Sequence, residues 1–318
     1  MLDEIFCPQL NITYKCNLTC SYCYEQEFAY KDKIMNLEEI KNLFVFFNKL
    51  KINEVTLIGG EPTEHPEIDK IFELAAQNDI SIRIFTHGLF SKEILNLLIN
   101  SNNVKEIYIH ITHQTNNRWY QNIKELFKIN KDIWFRVNFS NVSEIDHAEY
   151  IISKFKKNRF KVGYSLSCPF SPRDKNFIPI IANKKRTIAL YKRFFDFISN
   201  CVNLNISVYP GRPLPVCQFT KEEWDYLVKI ANAKSTCNPI DDINFDPGYY
   251  VKLCSVIKKP RYKLNVLNEE ELKKVLAKLC KYKDTILNVP SDKQCSSCYL
   301  FPMICQGGCY AHKIYQTN

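Results

Sequence analysis

Apolar residues follow two different periods along the first two thirds of the chain. Short apolar, β-branched runs predict strands at Gln9–Thr13, Glu54–Ile58, Ser81–Phe85, Glu106–Ile111, Trp134–Phe139 and Lys161–Leu166. The segments between them repeat apolar residues every three or four positions and predict helices near Asn36–Lys49, Glu67–Asn78, Ser91–Asn100, Asn117–Asn130, Asp146–Asn158 and Lys184–Ser199. Six strand-then-helix units in series predict an α/β fold with a parallel sheet, and six are too few for a complete eight-unit barrel.

The pattern changes after about residue 200. Prolines cluster at positions 210, 213, 215, 239 and 247, and helical period returns only at Lys221–Ala233 and Asn268–Lys281. Cysteines also crowd toward the C-terminus. We therefore expect two domains, an α/β core over residues 1–200 and a smaller, irregular, cysteine-rich domain over residues 201–318.

Fourteen cysteines among 318 residues are the informative part of the composition. The start, Met1–Phe6, lacks a basic segment followed by an apolar one, so no signal peptide is predicted. Apolar runs such as Leu43–Phe47 reach about five residues, far below the roughly 20 that cross a bilayer. We expect a soluble cytoplasmic protein, without a membrane partner, whose cysteines bind metal rather than form disulfides. We attribute the net charge of +9 to lysine-rich, solvent-exposed helix faces rather than to a nucleic-acid binding site.

Three thiols follow the first predicted strand in Cys16-Asn-Leu-Thr-Cys20-Ser-Tyr-Cys23. A parallel α/β sheet presents its ligand-binding loops at the carboxyl ends of its strands. Three closely spaced thiolates suit a cubane iron–sulfur cluster in which the fourth iron stays open. A structural zinc ion would need a fourth ligand nearby, and residues 24–29 contain neither His nor Cys.

This Cys-x3-Cys-x2-Cys motif, with an aromatic residue before its last cysteine, resembles the radical S-adenosylmethionine (radical SAM) superfamily. The second predicted strand ends in Gly59-Gly60-Glu61-Pro62, which is similar to that superfamily's Gly-Gly-Glu-Pro stretch. The resemblance implies a partial (β/α)6 TIM-like barrel. It also implies that Cys16, Cys20 and Cys23 hold a [4Fe-4S] cluster whose open iron binds S-adenosylmethionine. One electron from the reduced cluster then yields a 5′-deoxyadenosyl radical, which abstracts a substrate hydrogen.

The same resemblance implies a set of further cofactor-binding positions at the ends of the strands. These are Tyr22, Gly59, Gly60, Glu61, Pro62, Thr86, His87, His110, Asn138 and Ser165. Thr86-His87-Gly88 stands where relatives often carry Thr-Asn-Gly, and His110 stands where they often carry a serine, so ordinary turn or strand roles stay open for these residues. No side chain is assigned as a general acid or base.

A second group of cysteines lies near the C-terminus. It comprises Cys295, Cys298, Cys305 and Cys309, with Cys237 and Cys254 upstream. The group resembles the SPASM/twitch extension of radical SAM enzymes, which implies auxiliary [4Fe-4S] clusters. By that resemblance Cys237, Cys254 and Cys309 serve one cluster, with Cys217 as a recruit, and Cys295, Cys298 and Cys305 serve the other. Six residues separate Cys298 from Cys305 where five is usual, and no cysteine follows Cys309. Two clusters, a single cluster on Cys237, Cys254, Cys295 and Cys298, and a zinc site all remain open.

The leading functional prediction is an enzyme that abstracts hydrogen from a peptide or protein side chain and crosslinks or oxidises it. An auxiliary cluster would accept an electron from the substrate radical, and a flavodoxin or ferredoxin type of donor would reduce the enzyme. The first strand begins within about ten residues, which leaves no room for a peptide-leader-binding domain and keeps a second prediction open. That alternative is a dehydrogenase of a small molecule such as a sugar, nucleoside or antibiotic precursor. A remote alternative is a non-catalytic zinc protein that binds nucleic acid.

Overall fold

A computed structural model describes residues 7–20, 23, 25, 33–166, 184–238, 242–291, 293–310 and 313 of the chain. Its strands, in chain order, are β1 (Gln9–Thr13), β2 (Glu54–Gly59), β3 (Ser81–Thr86), β4 (Val104–His110), β5 (Asp132–Phe139), β6 (Lys161–Leu166), β7 (Ser207–Pro210), β8 (Asn244–Asp246), β9 (Tyr250–Lys252) and β10 (Tyr262–Lys263). Its helices are α1 (Leu37–Lys49), α2 (Ile68–Gln77), α3 (Lys92–Asn100), α4 (Asn117–Leu126), α5 (Val142–Phe155), α6 (Lys184–Asn203), α7 (Lys221–Ala231) and α8 (Glu269–Leu287).

The chain divides into two compact units. The first unit contains residues 1–109, 115–132 and 238–285, and the second contains residues 110–114, 133–237 and 286–318. The boundary that the sequence places at residue 200 stays a prediction. In the described part of the chain, no helix is both long enough and apolar enough to cross a membrane.

In the first unit, β1, β2, β3 and β4 run parallel in that order. Strand β8 adds to the other side of β1, also in parallel, and β9 and β10 continue from it in antiparallel fashion. The carboxyl ends of β1 to β4 consequently open on one edge of the sheet. The first cysteine motif and the Gly-Gly-Glu-Pro segment both follow strands that end there.

The core of the first unit combines buried residues of the strands with the apolar stripes of the helices. Leu10 and Leu57 on neighbouring strands are completely buried, as are Ile40 and Phe47 on α1. The ring of Phe47 meets Phe245 of β8 edge to face, at a centroid distance of 5.2 Å. Burying each such side chain contributes about 1.5–3 kcal/mol relative to exposure.

In the second unit, β5, β6 and β7 form a parallel set. Helices α5 and α6 pack against each other, and α7 contacts both α6 and β7. Aromatic rings fill this core, because Phe194 of α6 contacts both Phe139 of β5 and Tyr164 of β6 at centroid distances of 5.2 Å.

The predicted α/β fold with its parallel β/α units is confirmed, with differences at some boundaries. Helix α5 begins at Val142 rather than Asp146, because the Asn141 side chain caps it by accepting from the Glu144 backbone at 3.1 Å. Strands β7 to β10 were not predicted. Each is two to four residues long, too short for an alternating pattern to show.

Candidate functional site

The first cysteine motif leaves the carboxyl end of β1 in a tight turn. The Cys23 amide donates to the Cys20 carbonyl at 3.1 Å, and the Leu18 amide donates to Cys16 Sγ at 3.4 Å. Burial raises the pKa of Cys16 to about 12, and the charges of Cys23 and Cys20 are among the further causes. Burial also raises the pKa of Cys23 to about 11. The three thiols thus lie close enough to interact, and a bound cation would be needed to hold Cys16 and Cys23 as thiolates at neutral pH.

The two glycines after β2 are required by the backbone of this motif. The Gly60 amide donates to the Thr13 carbonyl at 2.7 Å, and the Glu61 amide donates to the Lys15 carbonyl at 2.8 Å. A Cβ atom on Gly59 would lie 2.1 Å from the Thr13 oxygen, and one on Gly60 would lie 2.4 Å from the Lys15 oxygen. The family resemblance predicts both glycines as cofactor-binding positions. The structure gives a further reason, which is the close packing of two protein backbones.

Glu61 is a buried carboxylate that links the ends of β2 and β3. Its Oε1 accepts from the Thr63 amide at 3.2 Å and from the Thr63 hydroxyl at 2.6 Å, which caps a short 3-10 helix that begins at Pro62. Its Oε2 accepts from the His87 amide at 2.8 Å. Both carboxylate oxygens therefore already accept hydrogen bonds from the protein. An ammonium group of a ligand would share these oxygens with the Thr63 and His87 donors.

His87 connects the end of β3 to the cysteine motif. Its Nδ1 accepts from the Leu89 amide at 3.0 Å, so in this arrangement Nε2 carries the hydrogen and donates to Asn17 Oδ1 at 2.6 Å. Asn17 lies between Cys16 and Cys20, and its Nδ2 donates to Glu64 Oε1 at 3.1 Å. Sequence reasoning missed Asn17, whose only signal was its place inside the motif.

Side chains of α4 form hydrogen bonds to the turn that carries His87. Trp119 Nε1 donates to the His87 carbonyl at 2.9 Å, and Asn122 Nδ2 donates to the Gly88 carbonyl at 2.9 Å. Thr86 Oγ1 accepts from the Gly88 amide at 3.1 Å, and Gly88 has a φ of +82°. Thr86 and His87 therefore belong to a fixed turn beside the motif.

A buried network of charges lies directly behind the motif, in the first unit. Glu25 is 2% exposed, and Lys258 Nζ lies 2.6 Å from its Oε2. Lys252 Nζ lies 3.0 Å from Asp246 Oδ1 and 4.0 Å from Glu25 Oε1. Asn11 of β1 donates to the same Asp246 oxygen at 3.2 Å. This network was also missed, because its members are spread over more than two hundred residues of sequence.

In the second unit, the pairing of β5 with β6 places two predicted site residues side by side. Asn138 is the register partner of Ser165, and Ser165 Oγ accepts from Arg136 Nη2 at 3.3 Å. Cβ atoms added to Gly163 and Gly211 would lie 2.0 and 2.1 Å from the Arg136 guanidinium. The two glycines thus form a slot for this cation. His110 ends β4, and Tyr22 lies outside the described residues.

The cysteines of the second group are divided between the units. Cys254 belongs to the first unit, whereas Cys237 and the cysteines from position 295 onward belong to the second. The Cys237 amide donates to Gln306 Oε1 at 2.8 Å, and Cys305 Sγ accepts from the Gly307 amide at 3.4 Å. Within the described ranges, no three His, Cys, Asp or Glu side chains are gathered as a ready site for one metal ion. The ligand sets therefore stay predictions from the motifs.

The first part of the chain matches one family profile, and curated proteins resemble it at low sequence identity. Residues 10–140 match the family profile described as the Radical SAM superfamily. GTP 3′,8-cyclase of Aquifex aeolicus is 28% identical over 162 residues, which are 45% of this chain and 50% of that protein. The chain thus spans about half the length of that relative. GTP 3′,8-cyclase of Clostridium perfringens strain 13 is 25% identical over 86% of this chain and 89% of its own length.

Solved structures extend the likeness to the fold of nearly the whole chain. Streptococcus suis SuiB bound to S-adenosylmethionine has a TM-score of 0.64 at 15% identity and covers 98% of this chain and 74% of its own. Native anSMEcpe with bound AdoMet has a TM-score of 0.66 at 17% identity, over 95% of this chain and 88% of its own. Residues 10–140, with three thiols after β1 and Gly59-Gly60-Glu61-Pro62 after β2, are a radical SAM superfamily domain, and that family binds a [4Fe-4S] cluster and S-adenosylmethionine.

Proposed function

We propose that the protein is a radical SAM enzyme that removes hydrogen from a peptide or protein side chain and thereby oxidises or crosslinks it, with help from an auxiliary [4Fe-4S] cluster. One observation carries this proposal. The structural likeness continues past the radical SAM domain to proteins solved with peptides. SuiB bound to precursor peptide SuiA covers 98% of this chain with a TM-score of 0.66. The anSMEcpe structure with the Cp18Cys peptide covers 95% with a TM-score of 0.64.

When bound, the cluster on Cys16, Cys20 and Cys23 together with S-adenosylmethionine supplies a one-electron reduction and a carbon radical for hydrogen abstraction. The chain itself has to position that chemistry and exclude water. Backbone bonds from Gly60 and Glu61 fix the start of the cysteine motif against the end of β2. The amide that donates to Cys16 Sγ favours its thiolate form, as amide donors to cluster sulfurs do.

The segment that carries the second cysteine group also exposes apolar side chains. Tyr299 is 91% exposed, Met303 is 84% exposed and Ile304 is 59% exposed. Grouped exposed apolar residues are typical of surfaces that bind another chain. Met and Tyr are side chains that adapt to varied apolar partners. These residues are suited to contact a peptide substrate near the auxiliary cluster.

A purine nucleotide is the second candidate substrate. The observation in its favour is the sequence likeness to GTP 3′,8-cyclase of Clostridium perfringens, which extends over 86% of this chain. The two candidates share the radical-forming step and differ in the molecule that loses hydrogen. They belong to different substrate classes and are therefore separable by one experiment.

The test supplies both candidate substrates to the same enzyme. Anaerobically reconstituted protein is reduced with dithionite in the presence of S-adenosylmethionine. It then receives either a peptide digest of perdeuterated protein or GTP. We expect 5′-deoxyadenosine that carries deuterium from the digest, detected by mass spectrometry, and no consumption of GTP. Consumption of GTP without deuterium transfer from peptides would contradict the proposal in favour of the nucleotide.

A control variant lacks the three thiols that are proposed to hold the radical cluster. The variant Cys16→Ala/Cys20→Ala/Cys23→Ala should form no 5′-deoxyadenosine with either substrate. Residual formation in this variant would contradict the assignment of the three thiols.

A further inference from the structure

The C-terminal cysteine block, residues 295–309, supplies three thiolates to one cluster by the family resemblance, namely Cys295, Cys298 and Cys305. A cubane that is closed by protein needs four thiolates. A fourth thiolate of this cluster has to lie close to the block.

We propose that Cys217 is the fourth thiolate of the auxiliary cluster held by Cys295, Cys298 and Cys305. This inference rests on the auxiliary cluster of the proposed function. It differs from the sequence-based expectation, in which Cys217 joins Cys237, Cys254 and Cys309.

The backbone brings the segment of Cys217 to the block. The Leu214 amide donates to the Lys234 carbonyl at 2.8 Å. On the next residue, the Ser235 carbonyl accepts from the Gln306 amide at 3.1 Å, and the Ser235 hydroxyl donates to the Ile304 carbonyl at 2.6 Å. Residues 234–235 are thus bonded to Leu214 and to residues 304–306. Cys217 lies three positions beyond Leu214, in a short 3-10 helix over Val216–Gln218.

The electrostatics agree with this proximity. Burial is the main cause that raises the pKa of Cys217, and the charges of Cys305 and Cys298 are among the smaller causes. The residue is nevertheless exposed as a whole, so its thiol is accessible to a cluster at the surface of the block.

Cys295 and Cys305 meet at a glycine turn. Cys305 Sγ accepts from the Gly307 amide at 3.4 Å. A Cβ atom on Gly307, whose φ is +72°, would lie 3.3 Å from Cys295 Sγ and 2.7 Å from Ser291 Oγ. Gly307 therefore packs against the first cysteine of the block and donates to the third.

A buried cation lies beside the same two thiols. Lys313 is completely buried, and its Nζ donates to the Leu287 carbonyl at 2.8 Å and lies 4.8 Å from the centre of the Phe301 ring. Burial lowers the pKa of Lys313 to about 8, and the charges of Cys295 and Cys305 act in the opposite direction by favouring its charged form. A cubane with four thiolates carries about −2 by formal counting, so a neighbouring buried cation favours it.

The experiment measures auxiliary iron without the radical cluster. In the Cys16→Ala/Cys20→Ala/Cys23→Ala background, all bound iron belongs to auxiliary sites. We add Cys217→Ala, Cys217→Ser or the control Cys201→Ala, which changes a buried cysteine of α6 in the same unit. Ferricyanide then takes one electron from each cluster. A cluster that lacks one thiolate should release Fe²⁺ and pass from [4Fe-4S]²⁺ to [3Fe-4S]⁺.

We expect both Cys217 variants to lose about one iron atom per chain and to gain the electron paramagnetic resonance signal of a three-iron cluster. The same Cys217 changes should have no further effect on iron in a background that also carries Cys295→Ala/Cys298→Ala, because the cluster they share is then already lost. The control should keep its iron and show no such increase. Far-ultraviolet circular dichroism verifies that each variant is folded, and the serine variant keeps the size of the side chain.

Three results would overturn the inference, and they are distinguishable. If the Cys217 variants match the control while the background holds iron, or still lose iron in the Cys295→Ala/Cys298→Ala background, Cys217 is not a ligand of this cluster and the proposed function stands. If the background holds no iron, the auxiliary cluster of the proposed function fails together with this inference. Zinc in place of iron also overturns both, since the thiols would then serve a mononuclear site.

Discussion

The side chains of Asn17 and Lys258 stabilise the surroundings of the first cysteine motif. Asn17 bonds to His87 on one side and to Glu64 on the other, and Lys258 neutralises Glu25 two positions after Cys23. Asn17 directly follows Cys16, and the partner of Lys258, Glu25, lies two positions after Cys23. Their effects should therefore appear in the stability of the protein and of the cluster.

Replacing Asn17 by Leu should weaken retention of the radical cluster. The change removes two side-chain hydrogen bonds, each of which contributes about 0.5–1.5 kcal/mol. We expect faster loss of iron to a chelator, by several-fold, measured from the decay of the cluster's visible absorbance. Asn42→Leu is the control. Asn42 lies on α1, away from the motif, and its exposed side chain donates a hydrogen bond to the Tyr249 hydroxyl. Equal rates of iron loss in the two variants would contradict the supporting role of Asn17.

Replacing Lys258 by Met should destabilise the first unit. It would leave the Glu25 carboxylate buried, with Lys252 4.0 Å away. Removing one partner of a buried ion pair costs about 3–5 kcal/mol. Urea denaturation of the anaerobic protein measures this loss in the free energy of unfolding.

The matched controls for Lys258 separate charge from packing. Lys70→Met removes an exposed lysine from its pair with Glu67 and should cost less than about 1 kcal/mol. The double change Glu25→Gln/Lys258→Met should restore much of the lost stability, since no lone charge remains buried. A double variant as unstable as Lys258→Met would show that packing, rather than charge, is what the lysine supplies.

At the scale of elements, the ends of β1 and β2 are joined through backbone atoms. This contact makes Gly60 sensitive to substitution, because a Cβ atom there would meet the Lys15 oxygen at 2.4 Å and the Tyr14 oxygen at 2.5 Å. Neither atom belongs to a flexible side chain that can move away.

Gly60→Ala should therefore displace the cysteine motif. We expect loss of reconstituted iron at the radical site and a fall in the free energy of unfolding of several kcal/mol, of the order seen for overpacking or more. Gly248→Ala is the control. Its φ is +83°, but its Cβ would meet only Tyr250 ring atoms at 3.4 Å and beyond, so the expected cost is about 1–2 kcal/mol. Iron content and urea denaturation report the two effects, and full iron loading of Gly60→Ala would contradict the prediction.

The sequence predicts elements well where they are long and periodic. Strands β1 and β6 begin and end at the predicted residues, and α1 starts after Asn36, which forms a capping box with Glu39. Strands β7 to β10 could not be predicted, because pairing with β6 or β1 rather than their own pattern defines them.

The candidate site also contains residues that the sequence predicts and residues that it does not. Local spacing predicts Cys16, Cys20 and Cys23 as cluster ligands, which stays a prediction, and the structure brings the glycines after β2 against the start of their motif. Contacts over long sequence separation were not predictable, as with Asn11 and Asp246 or Asn17 and His87. Such pairs depend on the register of the sheet, which a single sequence does not specify.

At the scale of the whole molecule, two groups of cysteines lie in different compact units. Cys16, Cys20 and Cys23 belong to the first compact unit, whereas the C-terminal cysteine block belongs to the second. Under the proposed function, the first group generates the radical and the second removes an electron from the substrate. Radical formation and net oxidation should therefore be separable by mutation.

The variant Cys295→Ala/Cys298→Ala tests whether radical formation and net oxidation are separable. Removing two of the proposed auxiliary ligands should leave reductive cleavage of S-adenosylmethionine within about threefold of the parent, because the three thiols after β1 are unchanged. Oxidised peptide product should fall by tenfold or more, since the substrate radical has no adjacent electron acceptor. Mass spectrometry of one reaction measures both 5′-deoxyadenosine and modified peptide. Undiminished oxidised product in this variant would mean that the electron leaves by another route and that the C-terminal cysteine block has a structural task.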